Sequence, residues 1–570
     1  MTQASSYTRR AALKTGVATA ATVAAGATIT SSAQTATAAP TAHPGGHRAF
    51  QHGVASGDPY PHSVIIWTRV SSHPGDHPGS DAGTPTQVGW QVATDEGFTQ
   101  VVASGAVVSS PDSDQTIKIE ATGLAPYTRY FYRFVIADGA YRGQTSPVGK
   151  TLTAPAADAD VNKLRLALFS CSNWEAGYFA AYRDMAQRGD IDFAVHVGDY
   201  IYEYGRGQYT GKTGAVRHHQ PPHEIRTLAD YRLRHGTYRT DEDLQAAHAA
   251  CPWVVTWDDH EVANDSWEHG AENHSGDRKS YYRRRDCAVQ AYLEWLPVRA
   301  TTFSQGGHLY RNLRFGTLLE LSMLDLRTYR NGPLGKLQFR GVDDSKRSMM
   351  GSEQFQWLSD QLTSSSATWN AVGNSVMISP VLIPPMDPQA ANAVSSLLGI
   401  PQEGVPYNTD QWDGFAADRR RLYNVLHKLG KKNTVFLTGD IHSSWGCDLP
   451  MTTARYPHSE IVGVEIVCTS VNASNIDDEL KLPQGNGVTQ MAESALTTAN
   501  KHVRFLDFDW HGYSVVEFTP RAVRTDWLWV DNKLVKNGRV FRAKSMEAQR
   551  GHGLKFIGHG ISPASHRPGD

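Results

Sequence analysis

The chain has 570 residues, a formal net charge of −2 and 40% hydrophobic residues. Its length is sufficient for two or more domains with a sizeable core, and its near-neutral charge argues against a dedicated nucleic-acid-binding protein, which is normally strongly basic. The five cysteines are an odd number at scattered positions. That pattern is not a disulfide framework, although it allows up to two disulfides or a metal-binding thiol.

The first forty residues have the composition of an export signal. Residues 8–14, Thr-Arg-Arg-Ala-Ala-Leu-Lys, resemble a twin-arginine signal, and Ala36-Thr37-Ala38 offers a small-residue cleavage site. The run between them is too weakly apolar for a transmembrane anchor, and no later segment has about 18 consecutive apolar residues. We therefore expect residues 1–38 to be a signal peptide, the twin-arginine translocase to export the folded chain, and the mature protein to be secreted.

Residues 48–152 are predicted to form an all-β domain. The segments that indicate strands are 63–70, 88–93, 101–108 and 116–119. A Pro-containing turn at 123–128 then leads into an alternating aromatic strand, an arrangement typical of immunoglobulin-like sandwiches and similar to a fibronectin-type module. Nothing in this region has the spacing of metal ligands, so we expect a structural role for it.

From about residue 160 the hydrophobic pattern alternates between strand and helix. The predicted strands are 164–169, 193–197, 253–256, 318–324 and 434–437, and the predicted helices are 175–187, 241–250, 278–296, 352–363 and 414–429. Such alternation indicates a layered α/β domain, here residues 160–535. The remaining tail, residues 536–570, carries several basic side chains and is predicted to be an exposed helix or a lid.

The most informative stretch follows the predicted strand at 193–197. Gly198 ends the apolar run, and Asp199 stands at the carboxyl end of the strand, where open α/β sheets place their ligand sites. The phenol of Tyr202, three residues later, can turn into the same cavity. A Gly-Asp pair alone is more often a plain turn. Three other predicted strand ends, however, also carry potential ligands: Cys171, Asp258-Asp259-His260 and Asp440-Ile441-His442.

These side chains are a mixed set of potential metal donors: a thiol, a phenol, imidazoles and several carboxylates. A structural zinc site would use mainly Cys and His, whereas calcium alone would use only oxygen atoms. A small, highly charged ion such as Fe(III) would take the anionic donors, and a hard cation beside it would take the carboxylates. Two metal ions about 3.5–4 Å apart, bridged by one carboxylate, are the catalytic machinery of many phosphoryl-transfer enzymes.

The blocks that carry these donors resemble, in sequence and in order, those of the alkaline phosphatase D (PhoD) family. They are Cys171-Ser172, Gly198-Asp199-Tyr200-Ile201-Tyr202, Trp257-Asp258-Asp259-His260-Glu261 and Gly439-Asp440-Ile441-His442. This family is related to the purple acid phosphatases and other calcineurin-like metallophosphatases. The resemblance extends from about residue 50 to residue 530, because residues 50–59 are similar to the opening of the family's N-terminal module.

The resemblance implies a four-layer αββα metallophosphatase domain that carries Fe(III) and Ca²⁺. Carried over residue by residue, Cys171, Tyr202 and His442 would bind iron, and Asp199 would bridge the two ions. The Asp-x-His that opens the site in the wider superfamily is absent, and Cys171 stands in its place. That departure favours this family over a purple acid phosphatase proper.

The same resemblance assigns oxygen donors to the second ion. Asp259 stands where the superfamily has a metal-binding Asn, and Asp440 stands where it has a His, which suits calcium in place of a softer ion. Asn264 is a further candidate oxygen ligand. His260 would be catalytic and would face the phosphate or the leaving group.

Some neighbouring residues have more ordinary interpretations. Asp258 is expected to be a turn residue or a carboxylate that supports the site, and not a direct ligand. His196 lies in a buried strand pattern and is expected to be a packed histidine. The basic segment 206–226 is expected to be an exposed loop, with an electropositive rim that attracts phosphate as the alternative.

The resemblance predicts a secreted phosphoesterase that hydrolyses phosphomonoesters and phosphodiesters with a metal-held hydroxide. The alternative is an iron- and calcium-dependent phospholipase D, since some phospholipases D resemble this family. The apolar segments 380–386 and 397–400 would then contact lipid, although a packed insertion is the favoured interpretation.

The intact ligand blocks argue against a third option, a non-catalytic binding protein. Gly-x-Ser-x-Gly, Walker and His-Glu-x-x-His motifs are absent from the sequence, which removes the serine hydrolase, P-loop and zincin interpretations.

Overall fold

A computed structural model of the protein describes residues 48–570, apart from 336–338, 384, 388–400, 564–565, 568 and 570. The predicted signal peptide and the apolar segment 397–400 therefore lie outside the described residues. Within the described part of the chain, no helix is both long and apolar enough to cross a membrane. None of the five cysteines, which all lie within the described residues, forms a disulfide.

The strands are numbered here in chain order. They are β1 (Val54–Tyr60), β2 (Ser63–Arg69), β3 (Gln87–Ala93), β4 (Val101–Val108), β5 (Thr116–Thr122), β6 (Arg129–Ile136), β7 (Gly149–Leu152), β8 (Leu164–Phe169), β9 (Phe193–His196), β10 (Trp253–Val255), β11 (Arg311–Phe315), β12 (Leu319–Met323), β13 (Trp369–Asn374), β14 (Leu382–Ile383), β15 (Val405–Pro406), β16 (Thr434–Thr438), β17 (Ser444–Pro450), β18 (Ile461–Val467), β19 (Val503–Asp507), β20 (Gly512–Phe518), β21 (Ala522–Val530), β22 (Val540–Gln549) and β23 (Lys555–Phe556).

The helices follow the same convention. They are α1 (Ala180–Arg188), α2 (Leu228–Tyr238), α3 (Glu242–Ala250), α4 (Arg278–Trp295), α5 (Gly351–Ser364), α6 (Ala416–Leu429), α7 (Ile476–Leu480) and α8 (Gly487–Ala499). Helix α1 begins at Ala180 and not at residue 175 as predicted. A Cβ atom on Gly177 would lie 2.6 Å from the carbonyl oxygen of Lys533, so the chain packs there as a loop against the segment after β21.

Two large sheets form the centre of the α/β region. The ten-stranded sheet has the order β23-β22-β21-β20-β8-β9-β10-β1-β2-β5, and the seven-stranded sheet has the order β11-β12-β13-β16-β18-β17-β19. Apolar side chains of both sheets, including Leu166, Val195, Leu321 and Val435, form one core between them. A second core joins the ten-stranded sheet to α1–α4, and a third joins the seven-stranded sheet to α5 and α6. The layers therefore follow the order helix, sheet, sheet, helix.

The N-terminal region is all-β, as predicted, but its strands are divided between two sheets. A four-stranded sheet has the order β4-β3-β6-β7, whereas β1, β2 and β5 extend the ten-stranded sheet, with β1 parallel to β10 where Gly57 pairs with Trp253. A Cβ atom on Gly57 would lie 2.3 Å from the carbonyl oxygen of Pro297, so this junction requires glycine. Alternation in the sequence predicts strands but does not indicate which sheet they join.

The C-terminal tail differs from its prediction. Residues Val540–Gln549 form β22, which pairs antiparallel with β21 along its length, and Met546 and Ala548 are buried in the core between the sheets. The interpretation of the tail as an exposed helix or a lid is therefore wrong over these residues. The residues of this segment favour helices intrinsically, but strand pairing and burial override that weak preference.

Candidate metal centre

The predicted ligands lie together at one edge of the two central sheets. Strands β8, β9 and β10 are parallel neighbours, so the residues that follow them, Cys171, Asp199 and Asp259, come to the same edge. Strand β16 of the second sheet brings Asp440 and His442 to that edge from the opposite side. All five side chains are buried. The structure thus brings together the strand ends from which the sequence predicted a site.

The backbone at this edge is held in an uncommon conformation. Cys171, Asp199, Asp440 and His442 have φ values of 61°, 56°, 71° and 55°, in the left-handed region that residues other than glycine seldom adopt. Backbone strain of this kind is concentrated at functional sites, where the surrounding structure imposes it. Four of the predicted metal ligands share this feature.

Two glycines allow the strand ends to approach one another. A Cβ atom on Gly198 would lie 2.4 Å from the Cβ of Asp258, and one on Gly439 would lie 2.4 Å from the Cβ of Ser170. Real Cβ atoms do not come within about 3 Å of other atoms in this way, so no larger residue fits at Gly198 or Gly439. In both Gly-Asp pairs the glycine is required by packing, and the aspartate is a predicted ligand.

One half of the site contains the thiol, the phenol and the imidazole. The Sγ of Cys171 lies 3.5 Å from Oδ2 of Asp199, and the hydroxyl of Tyr202 donates to the same oxygen at 3.1 Å. Nε2 of His442 lies 3.2 Å from the Tyr202 hydroxyl. On the other side of the ring, Nδ1 lies 2.6 Å from the carbonyl oxygen of Ser474 and therefore donates to it. This bond fixes the neutral tautomer of His442 in which Nδ1 carries the proton and Nε2 has the free lone pair. Nε2 faces Tyr202, on the side of the other predicted metal ligands.

The other half of the site contains carboxylates. Asp258, Asp259 and Asp440 each offer an oxygen within 4.8 Å of one another. Arg327, which is 2% exposed, donates to both oxygens of Asp258 at 2.6 and 2.9 Å and to Oδ1 of Asp440 at 3.3 Å. Gln411 donates to the second oxygen of Asp440 at 2.9 Å. Asp258 is thus held by a guanidinium group, in keeping with a supporting role.

His260 lies near both halves of the site, and a carboxylate binds its ring on the side away from Asp259. Its Nδ1 lies 2.7 Å from Oε2 of Glu203, and its Nε2 lies 4.0 Å from Oδ1 of Asp259. Burial alone would lower the pKa of His260, but the carboxylates of Asp259, Glu203 and Asp199 raise it to about 10. These carboxylates therefore favour the protonated form of His260.

Asn264, the predicted further oxygen ligand, lies at the margin of this half. Its backbone N–H donates to Oε1 of Glu203 at 2.7 Å, and its side-chain amide nitrogen donates to Glu272. Glu203 therefore joins the loop of Asn264 to His260. Cation binding by the amide oxygen of Asn264 stays a prediction.

Glu261 ties the ends of β9 and β10 to each other. Its carboxylate accepts backbone N–H groups of Asp199 at 3.1 Å, Tyr200 at 2.6 Å and Asp258 at 2.9 Å. Neither Glu203 nor Glu261 was given a role from the sequence. A signal was available in the sequence, because Glu203 directly follows Tyr202 and Glu261 directly follows His260. A carboxylate that is buried beside a predicted ligand needs a hydrogen-bond partner there.

His196 and the loop 206–226 can also be placed. His196 is fully buried, its Nε2 lies 3.2 Å from the hydroxyl of Tyr182, and burial lowers its pKa to about 3, so it is a packed histidine. Five of the basic side chains of the loop lie beside carboxylates, whereas Arg206 donates to the backbone carbonyl of His219, so the loop does not present its basic side chains together as one unpaired rim. These pairs are Lys212–Asp477, Arg217–Asp241, His218–Glu175, His223–Asp230 and Arg226–Glu224.

Two family models match the chain. Residues 166–527 match the family model described as PhoD-like phosphatase, and residues 33–155 match the PhoD-like phosphatase N-terminal domain. The chain belongs to the PhoD-like phosphatase family. The resemblance drawn from the ordered sequence blocks is thereby confirmed.

Individual relatives extend the match over most of the chain. Alkaline phosphatase D of Bacillus subtilis (strain 168) is 37% identical over 488 residues, which cover 84% of this chain and 77% of that protein. A solved structure of PhoD superposes with a TM-score of 0.78 at 33% identity, covering 91% of this chain and 94% of the other. The structure of purple acid phosphatase PPD1 from yellow lupin (Lupinus luteus) seeds gives a TM-score of 0.49 at 13% identity, covering 87% and 74%. The match to PhoD and to the N-terminal family model shows that this chain has a mixed α/β phosphatase fold with an N-terminal region of strands.

Proposed function

We propose that this PhoD-like protein is a secreted phosphoesterase that uses Fe(III) and Ca²⁺ to hydrolyse phosphomonoesters and phosphodiesters. The observation that supports it most is that Asp199 belongs to two buried donor groups at once, one with Cys171 and His442 and one with Asp259 and His260. A carboxylate shared in this way is the arrangement expected of a bridging ligand. We also propose export by the twin-arginine translocase, because residues 8–14 resemble its signal.

The thiol-containing half fits an iron ion. Cys171, Tyr202 and His442 supply a soft anionic sulfur, an anionic oxygen and a neutral nitrogen, and Asp199 supplies a carboxylate. These donors are buried and point toward one another. Anionic donors in this number offset the high charge of Fe(III). The bond from His442 Nδ1 to Ser474 orients the ring for ligation through Nε2.

The carboxylate half fits a hard cation. Asp259, Asp440 and, as a candidate, Asn264 offer oxygen atoms, which calcium prefers. Both oxygens of Asp258 accept hydrogen bonds from Arg327. Asp258 would therefore support the site, and the oxygens of Asp259 and Asp440 would bind the ion. The positive charge of Arg327 also balances part of the negative charge of these carboxylates.

When bound, the two ions would supply an activated water and neutralise the charge of a phosphate. The chain itself would orient the ester. Glu203 holds His260 at Nδ1, which directs Nε2 toward the space beside Asp259. From there Nε2 can donate a hydrogen bond to a phosphate oxygen or a proton to the leaving oxygen. Because Asp199, Asp259 and His260 come from two adjacent strand ends, these groups are held on the rigid part of the fold.

The experiment that tests the proposal is a comparison of substrates under one set of conditions. The purified protein is assayed on a chromogenic monoester, a chromogenic bis-ester and phosphatidylcholine vesicles, with its metal content measured in the same preparation. We expect hydrolysis of both soluble esters and loss of both activities in Asp199→Asn. Vesicles as the strongly preferred substrate would instead support the phospholipase D alternative, and inactivity on all three in a metal-loaded sample would refute the proposal.

A further inference from the structure

A second buried cluster of charged residues lies outside the metal centre. Asp477, Asp478 and His511 offer ligand atoms within 4.8 Å of one another. Lys533 forms a close ion pair with Asp478, and Nζ of Lys212 lies 2.5 Å from Oδ2 of Asp477. Each carboxylate therefore has its own ammonium partner, and the cluster is neutral without a bound cation. The arrangement favours an anchoring role over a third metal site.

Lys533 connects this cluster to the chain segment 470–474. Lys533 is 8% exposed, and its Nζ donates to the carbonyl oxygen of Asn472 at 3.0 Å as well as to Asp478. Nδ1 of His511, which borders the same carboxylate, lies 2.9 Å from the hydroxyl of Ser470. The segment lies between β18 and α7 and has no regular secondary structure, so these bonds fix its backbone from one side.

On its other side the same segment touches three of the predicted iron ligands. The backbone N–H of Ala473 donates to the carbonyl oxygen of Cys171 at 3.3 Å, and Ala473 packs in one buried cluster with Cys171 and Tyr202. The carbonyl oxygen of Ser474 accepts from His442. Segment 470–474 is thus a layer between the charged cluster and the iron-binding half of the site.

We propose that segment 470–474, anchored by Lys533, positions Cys171, Tyr202 and His442 for iron, so that Lys533 is a positioning residue of the metal centre. This inference rests on the proposed function. If the anchor is lost, the Ser474 carbonyl shifts, and the His442 ring loses the bond that fixes its tautomer and orientation. Changes of this kind behind a metal-binding histidine typically cost about 10–100-fold in metal affinity or activity.

The test removes the anchor without leaving a buried charge. In the double variant Lys533→Met with Asp478→Asn, both charges of the pair are lost together, so neither is left uncompensated. The matched control is Lys536→Met with Glu242→Gln, which removes a pair whose side chains are 59% and 60% exposed. Purified iron-loaded proteins are treated with an iron chelator, and the half-time of iron loss, the visible absorption band and the kinetic constants for a soluble monoester are measured.

We expect the double variant to lose iron about 10–100-fold faster than the wild type, with a shifted absorption band and a lower kcat at similar KM. The control should match the wild type in all three. A folded double variant whose half-time and band equal those of the wild type would overturn the inference. Ser470→Ala, which cuts the bonds from Ser470 to His511 and Ala473 without changing a charge, gives a second test with the same expected direction. A wild-type protein that holds no iron would instead refute the proposed metal centre itself.

Discussion

Arg327 is a buried cation that binds Asp258 and Asp440 in the carboxylate half of the site. We predict that its removal lowers the stability of the protein. In Arg327→Met the guanidinium group that binds Asp258, Asp410 and Asp440 is lost, while an apolar side chain still fills part of the space. Arg327 and Asp258 are 2% and 1% exposed as side chains, so solvent screens their attraction little. Removing one partner of such a buried pair typically costs about 3–5 kcal/mol.

That cost can be converted into a melting temperature. At about 2.1 cal/mol/K per residue, a chain of this length has an unfolding entropy of roughly 1.2 kcal/mol/K, so the Tm should fall by about 2.5–4 °C. The measurement is calorimetric unfolding of iron-loaded protein in the presence of a calcium chelator. With calcium restored the fall should be smaller, because a divalent cation at Asp259 and Asp440 offsets part of the negative charge that Arg327 no longer balances.

The control for this prediction is Arg539→Met. Arg539 is 87% exposed and pairs with Asp531 at the surface, so its removal should change the Tm by less than about 1 °C. The reasoning is refuted if Arg327→Met unfolds within about 1 °C of the wild type in the absence of calcium, since the buried carboxylate of Asp258 would then have lost its guanidinium partner at no cost.

The remaining predictions concern the ions and the substrate. A calcium chelator should abolish hydrolysis and added Ca²⁺ should restore it while iron stays bound, because oxygen-ligated hard ions exchange readily; full activity after exhaustive calcium removal would contradict the assignment. His260→Ala should lower kcat by about 10²–10⁴-fold with both metals retained, and stoichiometric loss of a metal would make His260 a ligand. Ile383→Ser should affect vesicles and a soluble ester equally, although Ile383 is 50% exposed beside the buried Leu382; a loss confined to vesicles would support a lipid-facing segment.

Most of the regular elements could be predicted because their causes are local. The apolar runs before Cys171, Asp199 and Asp258 are strands in the structure, and alternation of strand and helix was sufficient to predict the layered α/β region. Gly198, which precedes Asp199, marked the end of its strand correctly. Since parallel strands place their carboxyl ends at one edge, the meeting of Cys171, Asp199 and Asp259 followed from the pattern as well. Asp440 and His442 come from the other sheet, whose position no strand pattern reveals.

The parts that could not be predicted depend on contacts between distant segments. Arg327 reaches Asp440 across more than a hundred residues, and nothing around residue 327 distinguishes it from a surface arginine. Ser474 acts through its backbone carbonyl, which no side-chain pattern reveals. The strand at Val540–Gln549 was missed because pairing with β21 overrides the helical preference of its residues.

The colour of the protein tests the proposed metal centre most directly. A phenolate bound to Fe(III) absorbs visible light by charge transfer, so concentrated iron-loaded protein, re-oxidised before the spectrum is read, should be visibly coloured. Tyr202→Phe keeps the buried ring, which packs 4.3 Å from the ring of His260 between centroids, and removes only the donor oxygen. The account predicts that the phenolate band disappears in this variant and that iron is held more weakly. A colourless wild-type protein with a full complement of ferric iron, or an unchanged spectrum in Tyr202→Phe, would contradict it.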